Sequence, residues 1–189
     1  MGRSTAQKEL DGFVKYRILQ QSTGKRTMPV SIIYTGGVTC IGTKFTDTTI
    51  TNYFSSRLAY FNQIIIGRKF NSKLTLQLSP TMVHKNLVAT AADNNDIYAL
   101  GAGGRIKITK RMALTGDYFY VFNRTDTTTY NPLSIGIDIE TGGHVFQLHF
   151  SNTVGMNERA FIEDTKGQWT KGEIRFGFNL SRMFQLKSY

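Results

Sequence analysis

The sequence predicts an all-β protein, an antiparallel up-and-down β-barrel of the transmembrane type formed by a single domain over residues 1–189. Three observations carry that reading. Segment after segment alternates apolar and polar side chains with a period of two, and none holds a helical period over about eleven residues. No apolar run approaches the roughly 18 residues that a membrane helix needs. The connections between the alternating segments are short and long in turn, which is how a membrane barrel is wired. Composition agrees: aromatics make up 12% and there are 18 Gly but only 3 Pro, so strand and bend formers dominate. A hydrophobic content of 40% suits strands with one apolar and one polar face.

About nine strands follow along the chain. FVKYRIL sets Val14, Tyr16 and Ile18 against Lys15 and Arg17. Residues 30–40 and 57–70 read as strands, although IIYTGG and NQIIIG do not reveal which face is which. LTLQLS separates Leu74, Leu76 and Leu78 from Thr75, Gln77 and Ser79. IYALGAGGRIKIT places Tyr98, Leu100, Ile106 and Ile108 opposite Arg105 and Lys107, and ALTGDYFYVF places Leu114, Tyr118 and Tyr120 opposite Thr115 and Asp117. PLSIGIDIE divides Leu133, Ile135, Ile137 and Ile139 from Ser134, Gly136, Asp138 and Glu140. HVFQLHFS divides Phe146, Leu148 and Phe150 from Gln147, His149 and Ser151. The last, EIRFGFNLS, sets Ile174, Phe176, Phe178 and Leu180 against Glu173, Arg175, Gly177, Asn179 and Ser181. Glycines inside these strands supply the curvature of a closing sheet.

STGKRT, FNSK, TKRM and TGG are the short connections; TKFTDTTITN, HKNLVATAADNND, NRTDTTTYN and NTVGMNERAFIEDTKGQWTK are the long ones. Lys25 and Arg26, then Arg68, Lys69 and Lys73, then Lys110 and Arg111 populate three short turns without an acid among them. One rim is therefore strongly basic, which suits either anionic phospholipid headgroups or ordinary solubilising turn chemistry. The net charge of +10 is spread over strand ends with no stacking platform or nucleic-acid motif, so nucleic-acid binding is set aside.

Alternation alone does not separate a membrane barrel from a soluble lipocalin-like ligand-binding barrel with its apolar side chains inside. The polar faces favour the membrane. Lys15, Arg17, Arg105, Lys107, Asp117, Asp138, Glu140, His149, Glu173 and Arg175 carry both signs, as a wet lumen allows. Tyr16, Tyr98, Tyr118, Tyr120, Phe122, Phe176, Phe178 and Phe184 lie near strand ends, where an interfacial girdle belongs.

DGFVKYRILQQ, FNQIIIGRKFNSKLTLQLSPTMVHKN, GGRIKITKRMALTGDYFYVFN, NPLSIGIDIETGGHVFQLHFSN and GEIRFGFNLSRMF resemble an uncharacterised outer-membrane β-barrel family of Bacteroidota, domain of unknown function 5777. The resemblance runs over nearly the whole chain and implies an outer-membrane location in a Gram-negative cell, with no assigned activity or functional residues. It also implies a signal peptide and further strands ahead of DGFVKYRIL, so that about nine strands are present of roughly twelve. MGRSTAQKELDG, which has no apolar h-region, would be the tail of the last missing strand. Such a sheet is expected to expose two edges and not to close by itself.

Chemistry is sparse. Cys40 is the only cysteine, so no disulfide or cysteine-based metal cluster forms within the chain. His144 and His149 fall on opposite strand faces and His84 is remote, so no metal site is predicted, and the GAGG run has no following helix to make a phosphate loop. His149 and Ser151 share a face and bring to mind the base and nucleophile of an outer-membrane phospholipase. That face points into the lumen, whereas a lipid arrives from outside, so no enzyme activity and no cofactor is expected. Asp138, Glu140, Glu173 and Arg175 read as a salt-bridge network in the lumen. DTT at Asp47 and DTTT at Asp126 resemble short O-glycosylation signals. The function predicted is an outer-membrane barrel with a structural, narrow-pore or partner-binding role, its protein partner unnamed. A lipid hydrolase using His149 and Ser151 is the second alternative after the lipocalin-like barrel.

Overall fold

The computed structural model describes residues 1–24, 26–43, 53–88 and 90–182. Each of the nine expected strands forms. They are preceded by a two-residue strand, giving β1 (Gly2–Arg3), β2 (Leu10–Leu19), β3 (Ser31–Cys40), β4 (Leu58–Lys69), β5 (Leu74–Lys85), β6 (Asp96–Lys107), β7 (Met112–Val121), β8 (Leu133–Thr141), β9 (His144–Ser151) and β10 (Arg175–Arg182). They make one sheet in chain order, every neighbouring pair antiparallel. Among the described residues β1 pairs only with β2 and β10 only with β9, so the sheet is not closed. The tightest turn, between β8 and β9, places Gly142 at φ 58° and Gly143 at φ 130°. Positive φ at both positions of this two-residue loop is a conformation that glycine adopts without strain.

The register stacks like with like. Leu74, Ile106, Leu114, Ile137, Leu148 and Phe178 are successive cross-strand partners, and so are Thr75, Arg105, Thr115, Gly136, His149 and Gly177. Because partners across a ladder point to one side, the apolar and polar faces of single strands become an apolar and a polar face of the whole sheet. Leu76, Leu78, Tyr98, Leu100, Tyr118, Tyr120, Phe122, Phe150, Phe176 and Phe178 are all exposed on the apolar face. On β6 this face runs from Tyr98 to Ile108, roughly 33 Å of strand and about 25 Å after barrel tilt, the height of a lipid-facing band.

The other face divides into two zones. At the long-loop end Phe61, Val83, Ile97, Ala99, Phe119 and Val121 form a buried apolar cluster together with Ile162. Here the wet lumen expected from the polar strand faces gives way to an apolar zone. The rings of Phe61 and Phe119 fold over their cross-strand partners Gly37 and Gly101, where any Cβ would collide with them. Toward the short turns the face is polar.

What fills the apolar zone is the longest connection. The segment between β9 and β10, read from sequence as one of the long polar connections, carries helix α1 (Glu158–Glu163). Six residues are too few for a periodic signal. The local signal that was there is the cap: the Asn157 side chain accepts from Ala160 N–H at 2.8 Å, with Glu158 in the first turn. No described helix is long and apolar enough to cross a membrane.

Candidate functional site

The inserted segment defines the candidate site. Ile162, 1% exposed, seats α1 in the apolar cluster, and the Phe161 ring lies 4.9 Å from that of Phe119. Contacts reach from Glu9, ahead of β2, across to Leu133 on β8, so the sheet curves around the segment and the helix-bearing face is its concave side. Hydrogen bonds hold the flanks: Trp169 Nε1 donates to Leu133 O at 2.9 Å, Tyr130 N to Thr165 O at 2.7 Å, and Asn152 Nδ2 to Asn131 O at 3.0 Å.

An ionic cluster forms the other fastening. Arg159, 4% exposed, pairs with Glu9, 2% exposed, and with Asp164 at 2.9 Å and Glu163 at 3.4 Å. Lys85 at the end of β5 pairs with Glu163, and Asn157 Nδ2 donates to Glu9 Oε2 at 2.7 Å. None of these residues was singled out for this role from the sequence. Glu9 and Arg159 stand 150 positions apart and meet only because the chain folds back into the bore.

Burial sets the electrostatics here. Desolvation pushes the Glu163 carboxyl above its ordinary range despite hydrogen bonding to Lys85 and the nearby Arg159, and it does the same at Glu158. Burial opposes the charge on Arg159, yet Asp164, Glu163 and Glu9 outweigh it and hold the guanidinium above its usual value. An acid with a raised folded pKa opposes docking once ionised. Glu158 and Glu163 therefore contribute to docking a stability that is fully present below their ordinary value of 4.5 and is lost as pH rises through their raised folded values. Protease cleavage within residues 152–174 should accelerate as pH rises above 4.5, and Glu163→Gln should flatten that dependence; a flat profile in the unmutated protein would contradict it.

Below α1 the concave face carries the residues predicted for a lumen, in separate groups. Arg105 reaches across β7, where Ala113 leaves room, to Asp138 Oδ2 at 3.2 Å and Glu140 Oε1 at 2.8 Å. Gln147 Nε2 donates to Asp138 Oδ1 at 3.0 Å. The expected partnership of Asp138 and Glu140 with Glu173 and Arg175 is thus corrected. Arg105 is the cation they meet because of register: across β7 it is level with Gly136, next but one to Asp138, whereas Arg175, across β9, is level with Ser134, further toward the other end of β8. Glu173 precedes β10 instead of lying in it, and its Oε2 accepts from Gln168 N at 2.9 Å. Asp117, His149 and Arg175 line one cavity of about 420 Å³ beneath the inserted segment, with Ser134, Ser151 and Phe161. Lys107 is half-buried on the same face, while Lys15 and Arg17 are exposed on β2. The Lys15 ammonium stands 5.5 Å from the Phe13 ring, and Arg17 Nη1 donates to Gln20 Oε1 at 3.0 Å.

His149 and Ser151 share the concave face, but the Ser151 hydroxyl bonds Ser134 Oγ at 3.0 Å and Leu133 O at 3.4 Å, not the imidazole. Among the described residues no three His, Cys, Asp or Glu side chains are grouped to hold a metal ion. Asp126 accepts from the backbone N–H of Thr128 at 2.8 Å, which makes DTTT a turn. Asp47, Lys25 and Phe184 lie outside the described residues.

A sheet with a continuous exposed apolar face of membrane height, wrapped around a polar interior and its own inserted segment, defines a membrane β-barrel domain. The chain belongs to the family of membrane bound beta barrel domains designated domain of unknown function 5777, which it matches over residues 1–184. Comparison with curated proteins and with solved structures found no match.

Proposed function

We propose that this protein is a stoppered outer-membrane barrel with a structural or partner-binding role, not an open pore and not an enzyme. The observation that carries this reading is α1, which is seated in the bore by Ile162 and Phe161 and fastened by the buried Arg159–Glu9 pair. A segment meant to leave a channel free would not bury its one arginine and its largest aliphatic side chain against the wall. Lipid-facing strands and long loops on the stoppered side support an outer-membrane setting, where long loops face outward.

The seam bears on what completes the wall. β2 and β10 run in the same direction, since eight antiparallel steps separate them. Joining them directly would make a parallel pair, so an all-antiparallel barrel needs an odd number of strands between them. β1 runs in the required direction and is in register with β2 at Gly2 and Arg3. We assign it to the strand that begins the closure.

Fractionation and single-channel recording of the full gene product test this together. The protein should appear in the outer-membrane fraction and show no steady conductance in a planar bilayer. Recovery in the soluble periplasm would overturn the membrane assignment, and a persistent open channel would overturn the stopper.

A further inference from the structure

We infer that the short-turn rim is a binding surface for anionic phospholipid headgroups, built on the β4–β5 and β6–β7 turns. The register supplies the first argument. Along the lipid-facing side of β4 the order is Ile64, Ile66 and Arg68, whose cross-strand partner is the exposed Leu76, and Phe70 follows just past the strand; in the β6–β7 turn the exposed Ile108 and Lys110 follow Ile106. Arg68 therefore continues the apolar belt at its margin and faces lipid at the depth of the headgroups rather than the lumen, and the turn cations sit at the same margin.

The second argument is fixed geometry. The turns are stitched to their neighbours: Lys69 N donates to Gln21 Oε1 at 2.8 Å while Gln21 Nε2 donates to Lys69 O at 2.9 Å. Lys107 N donates to Lys73 O at 2.8 Å and Glu140 N to Arg111 O at 2.7 Å. Asn71 Oδ1 accepts from the backbone N–H groups of Lys73 and Leu74, each at 2.8 Å, closing the β4–β5 turn. Four cationic residues, Lys69, Lys73, Lys107 and Arg111, are in this way anchored through their backbones before any lipid arrives.

Charge completes the case. Residues 66–76 and 104–116 contain Arg68, Lys69, Lys73, Arg105, Lys107, Lys110 and Arg111 and no acid. The acids that face them are Asp138 and Glu140 on β8, both engaged by Arg105 on the concave side. The Arg68 guanidinium stands 5.0 Å from the ring of Phe70, which is 52% exposed beside the belt. That pairing offers a cation to a phosphate and an aromatic edge to the acyl chains beneath it. A phospholipid matches both parts; an inorganic anion matches only the first.

The inference rests on the membrane-bound family and not on the stopper, so the two fail separately. Native mass spectrometry of the full gene product in neutral detergent, with phosphatidylglycerol or phosphatidylcholine added, reads the preference directly. Each surface cation contributes about fivefold, so Arg68→Gln/Lys73→Gln/Lys110→Gln should weaken phosphatidylglycerol retention on the order of a hundred-fold. The control triple Lys8→Gln/Lys166→Gln/Lys171→Gln, at the opposite end, should leave it unchanged. Heat-modifiable migration verifies that both variants are folded. Equal retention of the two lipids, a rim triple that keeps the preference, or displacement of phosphatidylglycerol by equimolar inorganic phosphate would each overturn the inference.

Discussion

Replacing Arg159 with Met is expected to undock the segment between β9 and β10. The change leaves Glu9, 2% exposed, without its cation and removes the partner shared by Glu163 and Asp164. Breaking a buried ion pair from one side costs about 3–5 kcal/mol, because the remaining charge keeps its desolvation penalty without the attraction that offset it. A six-residue helix with few apolar anchors has little to set against a loss of that size. Arg159→Met should open residues 152–174 to protease and produce channel events in a planar bilayer. Glu9→Met/Arg159→Met should regain much of the protection, since removing both partners leaves no orphaned charge at Glu9. Unchanged cleavage and conductance in the single variant would mean that the ionic cluster does not hold the stopper.

The second large effect is expected on the opposite face. Leu78 lies midway along the apolar side of β5 and is 49% exposed, whereas Gln77, next to it, faces the concave side. Arginine in place of a midplane, lipid-facing residue of a barrel costs about 2–4 kcal/mol. Leu78→Arg should therefore destabilise the protein by that amount in urea titrations of the full gene product folded into phosphatidylcholine vesicles. Gln77→Arg should have little effect, because its side chain meets water. In a soluble barrel the same exposed Leu78 would tolerate the change within about 0.5 kcal/mol. Equal small effects at both positions would exclude a lipid-facing role for this surface.

Leu74, Leu76, Leu78, Phe146, Leu148 and Phe150, which a lipocalin-like barrel would turn inward, lie by register on the face opposite Gln77, Ser79, His149 and Ser151. Their period was readable, but whether it pointed in or out was not, because a strand pattern is the same for either sense of curvature. Curvature is decided by what the concave side must enclose, and here that is Ile162 and Phe161, brought from a connection that looked like solvent-exposed loop. For the same reason the inward side of Phe61 was not readable, and Phe119, which shares the parity of Thr115 and Asp117, gave no sign of packing beneath a helix. Their burial depends on a helix more than 40 positions further along the chain.

By itself the sequence determined the nine principal strands, their antiparallel order and the separation of an apolar face from a polar one, since these follow from local period and connection length. It also determined the basic short-turn rim, because turn residues are contiguous in the chain. Only the tertiary structure decided that Arg159 and Glu9 form a buried pair and that Arg105 is the cation for Asp138 and Glu140. It alone also decided that the longest loop fills the bore. Buried charges find partners by proximity in space, and the backbone geometry that creates that proximity is set by the whole sheet rather than by the residues on either side of each charge.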